Sequence, residues 1–237
     1  NIGLRLDMDG GRIWAVDETG QPVSEIDLAG VVLTLVASGE PGATVCLPLR
    51  MPLVMAGYLE RRGATVLWGG SDPRSIMRAA AEQNARVGAD GMGAFCLPEF
   101  HRRFDGLLAA LKLAEGLVMS GQRLSQAVAA LPASEIIETH LDCAWERRAG
   151  LLRVLNDPDR ERHGGIRDGL VFGDLGKGER VVIVPAPDRP SIMVRVESDS
   201  RLRTEALADE WRTLVEDAAG SDTATDNGQS DSGDSVT

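Results

Sequence analysis

No stretch of this chain approaches the roughly 20 uninterrupted apolar residues that a helix needs to cross a bilayer, and no basic, apolar leader opens it. A membrane partner is therefore not expected. Clustered cations are also missing: the formal net charge is −11 and the pI about 4.8. Phosphate backbones need basic patches, so a nucleic-acid partner is not expected either. Lysine is scarce, two residues against 23 arginines, a bias that reflects a GC-rich genome and carries no functional weight. Cysteine is limited to Cys46, Cys96 and Cys143, an odd and scattered set within apolar runs. Such spacing makes neither a disulfide frame nor a zinc site and reads as reduced core thiols of a cytoplasmic protein. His101, His140 and His163 stand alone without a partner at ligand spacing, and Trp14, Trp68, Trp145 and Trp211 read as core anchors.

What is present is a chain of 237 residues with 43% hydrophobic content, enough for two domains and a piece of a third. It opens at Asn1 inside a strand-like pattern and without an initiator Met, which reads as the C-terminal part of a longer polypeptide. Residues 1–40 give a strand from Ile2 to Leu6, an acidic turn, a strand from Ile13 to Val16 and a helix over 27–36. One hairpin and one helix bury too little surface to stand alone, so this segment must dock on upstream chain or on the residues after it. Residues 41–132 read as an α/β domain. Strands over 43–47 and 64–68 flank a helix from Pro52 closed by Gly63, and Asp72-Pro73 caps a helix running to Arg86. A third strand over 93–97 follows a Gly-rich turn, then a long helix from Asp105 to Met119 with Leu107, Leu108, Leu111 and Val118 on or near one face, and a short helix ending before Pro132. Parallel strands with helical crossovers follow from these lengths. Residues 133–218 change to an α+β pattern, an antiparallel sheet with helices on one face, in which Ile192, Val194 and Val196 alternate with Met193, Arg195 and Glu197. Residues 219–237 are a Ser, Asp, Thr and Gly run that cannot build a core and reads as a disordered acidic tail. The Gly173 to Gly178 stretch lacks the spacing of a phosphate loop and reads as a hairpin turn.

Three stretches carry candidate chemistry. In Asp7-Met8-Asp9-Gly10-Gly11-Arg12, two carboxylates on a Gly-softened turn suit a hard divalent cation, and equally suit a plain hairpin turn. Gly88-Ala89-Asp90-Gly91-Met92-Gly93-Ala94 is a second Gly-rich loop. Val184-Pro185-Ala186-Pro187-Asp188-Arg189-Pro190 is the third, with Arg189 as its cation.

The order of these stretches resembles the phosphohexomutase superfamily (phosphoglucomutase and phosphomannomutase). Its metal loop, Asp-x-Asp-x-Asp-Arg, matches at Asp7, Asp9 and Arg12, with Gly11 at the third Asp position. Its sugar loop, Gly-Gly-Glu-x-Ser-Gly-His, matches at Gly88 and Gly93, with Ala89 at the second glycine and Asp90, Met92 and Ala94 at the polar positions. Its phosphate loop, Arg-Pro-Ser-Gly-Thr-Glu-Pro, matches at Pro185 and Pro190 but not between them, and Leu67-Trp68-Gly69 stands where the family carries Arg-Thr-Lys. The resemblance implies a four-domain protein whose phosphoserine domain lies upstream, so no catalytic residue falls in this chain. It implies Mg²⁺, weak or lost, at Asp7 and Asp9; sugar contacts at Gly88, Asp90 and Gly93; phosphate contacts at Arg189 and Arg12; and a sugar phosphate and the upstream domains of the same polypeptide as partners. A narrower similarity, in the Pro185 to Pro190 loop and Gly88-Ala89-Asp90, is to the mutase-like region of fused mannose-1-phosphate guanylyltransferases. Two readings result: a mutase portion using Mg²⁺, and a catalytically degenerate module attached to a sugar-nucleotide pyrophosphorylase.

Overall fold

In the computed structural model, which describes residues 1–70, 72–155, 166–167, 170–176, 178–186 and 189–226, the chain divides into two units, Asn1–Ala133 and Ser134–Thr237. The first begins with a three-stranded antiparallel sheet of β1 (Gly3–Leu6), β2 (Ile13–Val16) and β3 (Pro22–Val23). Helix α1 (Glu25–Ser38) comes next, started by Ser24, whose hydroxyl oxygen accepts the Asp27 N–H at 3.1 Å. This helix has Leu28, Ala29, Val31, Val32 and Leu33 all buried, and it shares one core with Ile13 before it and with Val45, Leu47 and Phe95 after it. Residues 1–40 therefore dock on the α/β sheet that succeeds them in the chain.

That sheet and its helices comprise β4 (Thr44–Leu47), α2 (Leu53–Glu60), β5 (Thr65–Trp68), α3 (Pro73–Glu82), β6 (Val87–Ala89), β7 (Phe95–Leu97), β8 (His101–Phe104), α4 (Gly106–Ser120) and α5 (Leu124–Ala129). The sheet order is β5-β4-β6-β7-β8, with β4 parallel to both neighbours and the last two pairings antiparallel. Asp72 caps α3 as its sequence predicts, accepting from the N–H groups of Arg74 and Ser75 at 2.9 and 3.1 Å. That helix stops at Glu82 instead of Arg86 because Asn84 turns left-handed at φ 50°.

Two expectations are corrected here. Strand β6 falls where a Gly-rich turn is predicted. Val87, Gly88 and Ala89 are all buried, and the space a Gly88 side chain would need is taken by the Cys96 thiol, Ala80 of α3 and the Cβ of Cys46. A Cβ there would lie 3.0 Å from Cys96 Sγ and 3.1 Å from Ala80 Cβ. Burial pushes the Cys46 thiol up to about 12 and the Cys96 thiol up to about 11, so both stay protonated and serve as small apolar side chains. The long helix, in turn, buries a face that mixes alanine with leucine. Ala109, Ala110, Leu113 and Leu117 are buried, whereas Leu107, Leu111 and Val118 are exposed. Close approach to α1 shapes this face: a Cβ on Gly116 would sit 2.7 Å from Leu35 Cβ, so α1 crosses where α4 has no side chain.

The second unit holds β9 (Glu135–Asp142), a 3-10 turn (Trp145–Arg147), α6 (Arg148–Leu155), β10 (Ile166–Arg167), β11 (Leu170–Gly176), β12 (Glu179–Pro185), β13 (Ser191–Ser198) and α7 (Arg201–Asp226). Its strands run antiparallel in the order β10-β11-β12-β13-β9. Val181 and Ile183 of β12 and Ile192, Val194 and Val196 of β13 pack with Leu151 and Leu155 of α6 and Leu207, Trp211 and Val215 of α7. Two intervening positions of β13 are polar and nonetheless buried: Glu197 meets the Arg180 guanidinium at 3.0 Å, and Arg195 meets Glu138 at 2.7 Å. The Gly173 to Gly178 stretch joins β11 to β12 as an antiparallel pair, with Lys177 outside the described residues. Helix α7 continues past Ala219, where composition predicts the tail to begin. His163 and residues 227–237 lie outside the described residues. Among the described residues no helix is long and apolar enough to cross a membrane.

Substituting Gly88→Ala is expected to destabilise the chain by about 1–3 kcal/mol, the usual cost of an added methyl in a closed core. Urea unfolding reads this as a lower midpoint with an unchanged slope.

Candidate functional site

The turn between β1 and β2 is closed by its own first carboxylate. Asp7 Oδ1 accepts the Arg12 N–H at 3.1 Å, the Asp7 N–H donates to the Arg12 carbonyl at 3.2 Å, and Gly10 bends back at φ 69°. Asp7 is half-buried and Asp9 is exposed. Among the described residues no group of three or more His, Cys, Asp or Glu converges anywhere, so these two aspartates have no third ligand beside them. Mg²⁺ demands near-octahedral oxygen geometry and dehydrates reluctantly. One carboxylate engaged in closing its own turn and one in solvent fit that demand poorly.

From this turn Arg12 reaches across to the second loop. Its guanidinium donates to Asp90 Oδ2 at 3.2 Å, where the Asp90 side chain is 4% exposed and that of Arg12 34%. The other oxygen, Asp90 Oδ1, accepts the N–H groups of Met92 at 2.7 Å and Ala94 at 2.9 Å. With three donors and almost no exposed surface, this carboxylate is spent on holding its own loop to the hairpin. The backbones also touch directly. The Ile13 N–H donates to the Gly93 carbonyl at 2.9 Å, and a Cβ on Gly93, at φ 92°, would fall 2.5 Å from the Ile13 oxygen. Only glycine fits there.

The start of α4 completes this arrangement. The Gly106 N–H donates to the Gly10 carbonyl at 2.7 Å, and a Cβ on Gly106 would meet the Gly10 and Arg12 carbonyl oxygens at 2.8 and 2.9 Å. Asp105 caps the helix by accepting the Leu108 N–H at 2.8 Å, and its second oxygen pairs with His101 Nε2 at 2.9 Å. The His101 bond, followed by the backbone bond, holds the Asp105 carboxyl below its ordinary value of 3.8.

Of the residues singled out in the sequence, Asp7, Arg12, Asp90 and Gly93 thus form one cluster with Gly106, a residue whose motif reads only as a cap. Asp9 lies at its exposed rim. Gly88 belongs instead to the interior of β6. Arg189 lies in the second unit, exposed, and its carbonyl accepts the Ser191 N–H at 2.8 Å and the guanidinium of Arg148. Arg148 has no motif to announce it. It comes from α6, stacks at 3.7 Å over the Trp145 ring and is 8% exposed. Pro187 and Asp188 of the same loop lie outside the described residues.

Comparison with known proteins bears on this arrangement. No family model matches the chain. The phosphoglucosamine mutase of Sinorhizobium medicae is 24% identical over 220 residues, covering 91% of this chain and 46% of that protein. That of Thermotoga maritima is 25% identical over 217 residues, covering 91% and 48%. Among solved structures, a phosphoglucomutase/phosphomannomutase family protein from Burkholderia thailandensis superposes with a TM-score of 0.72 at 19% identity, over 92% of this chain and 47% of that one. The N-acetylphosphoglucosamine mutase of Aspergillus fumigatus, in complex with GlcNAc-6P and magnesium, gives 0.61 at 14% identity, over 92% and 52%. These likenesses show a shared fold, a mixed α/β sheet domain followed by an antiparallel one. The chain spans about half the length of the curated relatives it matches.

Asp105→Ala removes the α4 cap and is expected to cost about 0.5–2 kcal/mol at neutral pH. Because the folded carboxyl titrates below its ordinary value of 3.8, its stabilisation is complete above that pH and is lost as pH falls below it. The stability gap between wild type and variant, read by thermal melting, should therefore close on acidification.

Proposed function

We propose that this chain is a phosphohexomutase-type region that retains the fold and a weak sugar-phosphate site, and that has lost phosphoryl transfer. The observation that carries this reading is the engagement of Asp90 by Arg12 and by two amides of its own loop. A side chain that reads a sugar hydroxyl must keep an acceptor free for it, and discrimination by hydrogen bonds collapses when the readers are absent or already paired. Met92 and Ala94 beside it offer no side-chain donor or acceptor. Asp7 and Asp9 without a third carboxylate support a Mg²⁺ contribution that is weak or lost. What phosphate affinity remains is assigned to Arg189 and to the outward donors of Arg12, and the shape of the sugar loop to Gly88, Asp90 and Gly93. On sequence pattern alone, we assign the region to a polypeptide that also carries a sugar-nucleotide pyrophosphorylase. The upstream coding sequence tests this, and a phosphoserine domain there without a pyrophosphorylase would refute it.

The active-mutase reading draws on one observation, the retention of Asp7, Asp9 and Arg12 in an ordered turn docked on the sugar loop. The full-length protein assayed on mannose, glucose and glucosamine phosphates, with Mg²⁺ and a bisphosphate activator, separates the two. No turnover above the uncatalysed background is expected, and Mg²⁺ alone should leave the melting temperature unchanged. Sustained turnover abolished by Asp9→Ala would establish the active enzyme instead.

A further inference from the structure

The sheet of the first unit places a second feature at the same loop. Strand β4 lies between β5 and β6 and parallel to both, so the chain leaves β4 to one side and later returns to the other. In open α/β sheets of this kind ligands bind outside the carboxyl ends of the strands where the order reverses. Here those ends are the Pro48 to Arg50 turn after β4 and the Asp90-Gly91 turn after β6. The two turns touch. A Cβ on Gly91, at φ 69°, would lie 3.0 Å from both Cγ and Cδ of Arg50, so the Arg50 stem lies against the glycine.

The charge at the end of that stem is unspent. Among the described residues, the half-buried Arg50 makes no hydrogen bond, ion pair or ring contact. The carboxylate nearest in sequence on the facing turn, Asp90, is already neutralised by Arg12 and by two amides. The N–H groups of Gly91 and Gly93 donate to nothing among the described residues. Where the topology calls for a ligand, the neutral polar readers are thus absent or engaged. What is left is the half-buried Arg50 guanidinium, with the unpaired amides of the buried Gly91 and Gly93 behind it, a donor set that matches an oxyanion and not a hydroxyl.

We propose that Arg50 makes the 88–94 loop a reader of an oxyanion, a carboxylate or a phosphate carried on the sugar, in place of neutral sugar hydroxyls. The sugar part of this ligand rests on the function proposed above; the anion part rests on Arg50 alone. Calorimetric titration of the full chain with glucose, glucuronate and glucose 6-phosphate tests it, using wild type, Arg50→Met and Arg50→Lys. Methionine keeps an apolar stem on Gly91, so the variant's melting temperature should match wild type and a loss of binding is not a loss of fold.

At least one of the two anions should bind wild type and glucose should not. Arg50→Met should weaken that binding about tenfold or more, the size of a charge-assisted contact, with Arg50→Lys between them because an ammonium cannot form the bidentate pair. Glucuronate bound through Arg50 without glucose 6-phosphate would uphold the anion site and overturn the sugar-phosphate reading. Glucose 6-phosphate bound equally by wild type and Arg50→Met would do the reverse. Glucose binding as well as the anions, or no heat from either anion, would overturn the role of Arg50.

Discussion

The approach of two backbones, Ile13 against Gly93, is the constraint on which the rest of the first unit's site depends. A contact of 2.9 Å between an amide and a carbonyl leaves no room for a side chain on the second strand of chain, and the positive φ of Gly93 meets that need. Once the two segments lie together, Arg12 and Asp90 are within reach of each other. Asp90 then spends its remaining oxygen on its own loop, and the turn at residues 90–94 becomes a rigid piece clamped to the hairpin. The start of α4 is held by the same hairpin through the Gly10 carbonyl. Three segments far apart in the chain are thus tied by hydrogen bonds whose geometry tolerates almost no added atom.

This clamp shifts the chemistry of the loop. A carboxylate in the middle of a Gly-rich turn is an obvious sugar reader only while its oxygens face outward. Turned inward and paired, it contributes order to the loop. The cation that lies against this loop is held on another element, Arg50 from the end of β4.

The second unit obeys a different logic. Period-2 alternation in β13 buries Ile192, Val194 and Val196 against α6 and α7, as the pattern predicts. The alternate positions also end up buried, with Arg180 paired to Glu197 and Arg195 to Glu138. Such pairs are weak sources of net stability, but removing one partner leaves a buried charge, which makes the register of these strands costly to change.

Hairpin, crossover and cap signals were legible from local sequence because they act within a few residues: Asp72 and Asp105 cap the helices they precede, and Gly63 and Gly121 turn the chain after theirs. The buried face of α4 was not legible, because leucines lie on both faces of the helix and the close approach of α1 at Gly116 fixes which face turns inward. Strand β6 was hidden for a related reason, since a glycine enclosed by Cys96, Ala80 and Cys46 looks like a turn residue until its neighbours are known. By itself the sequence determined most of the helices and strands, the change from an α/β to an antiparallel pattern near residue 133 and the resemblance of three loops. Only the tertiary structure decided what those loops do. The partner of Asp90 is 78 residues away, and no local pattern states which of two well-separated side chains will meet.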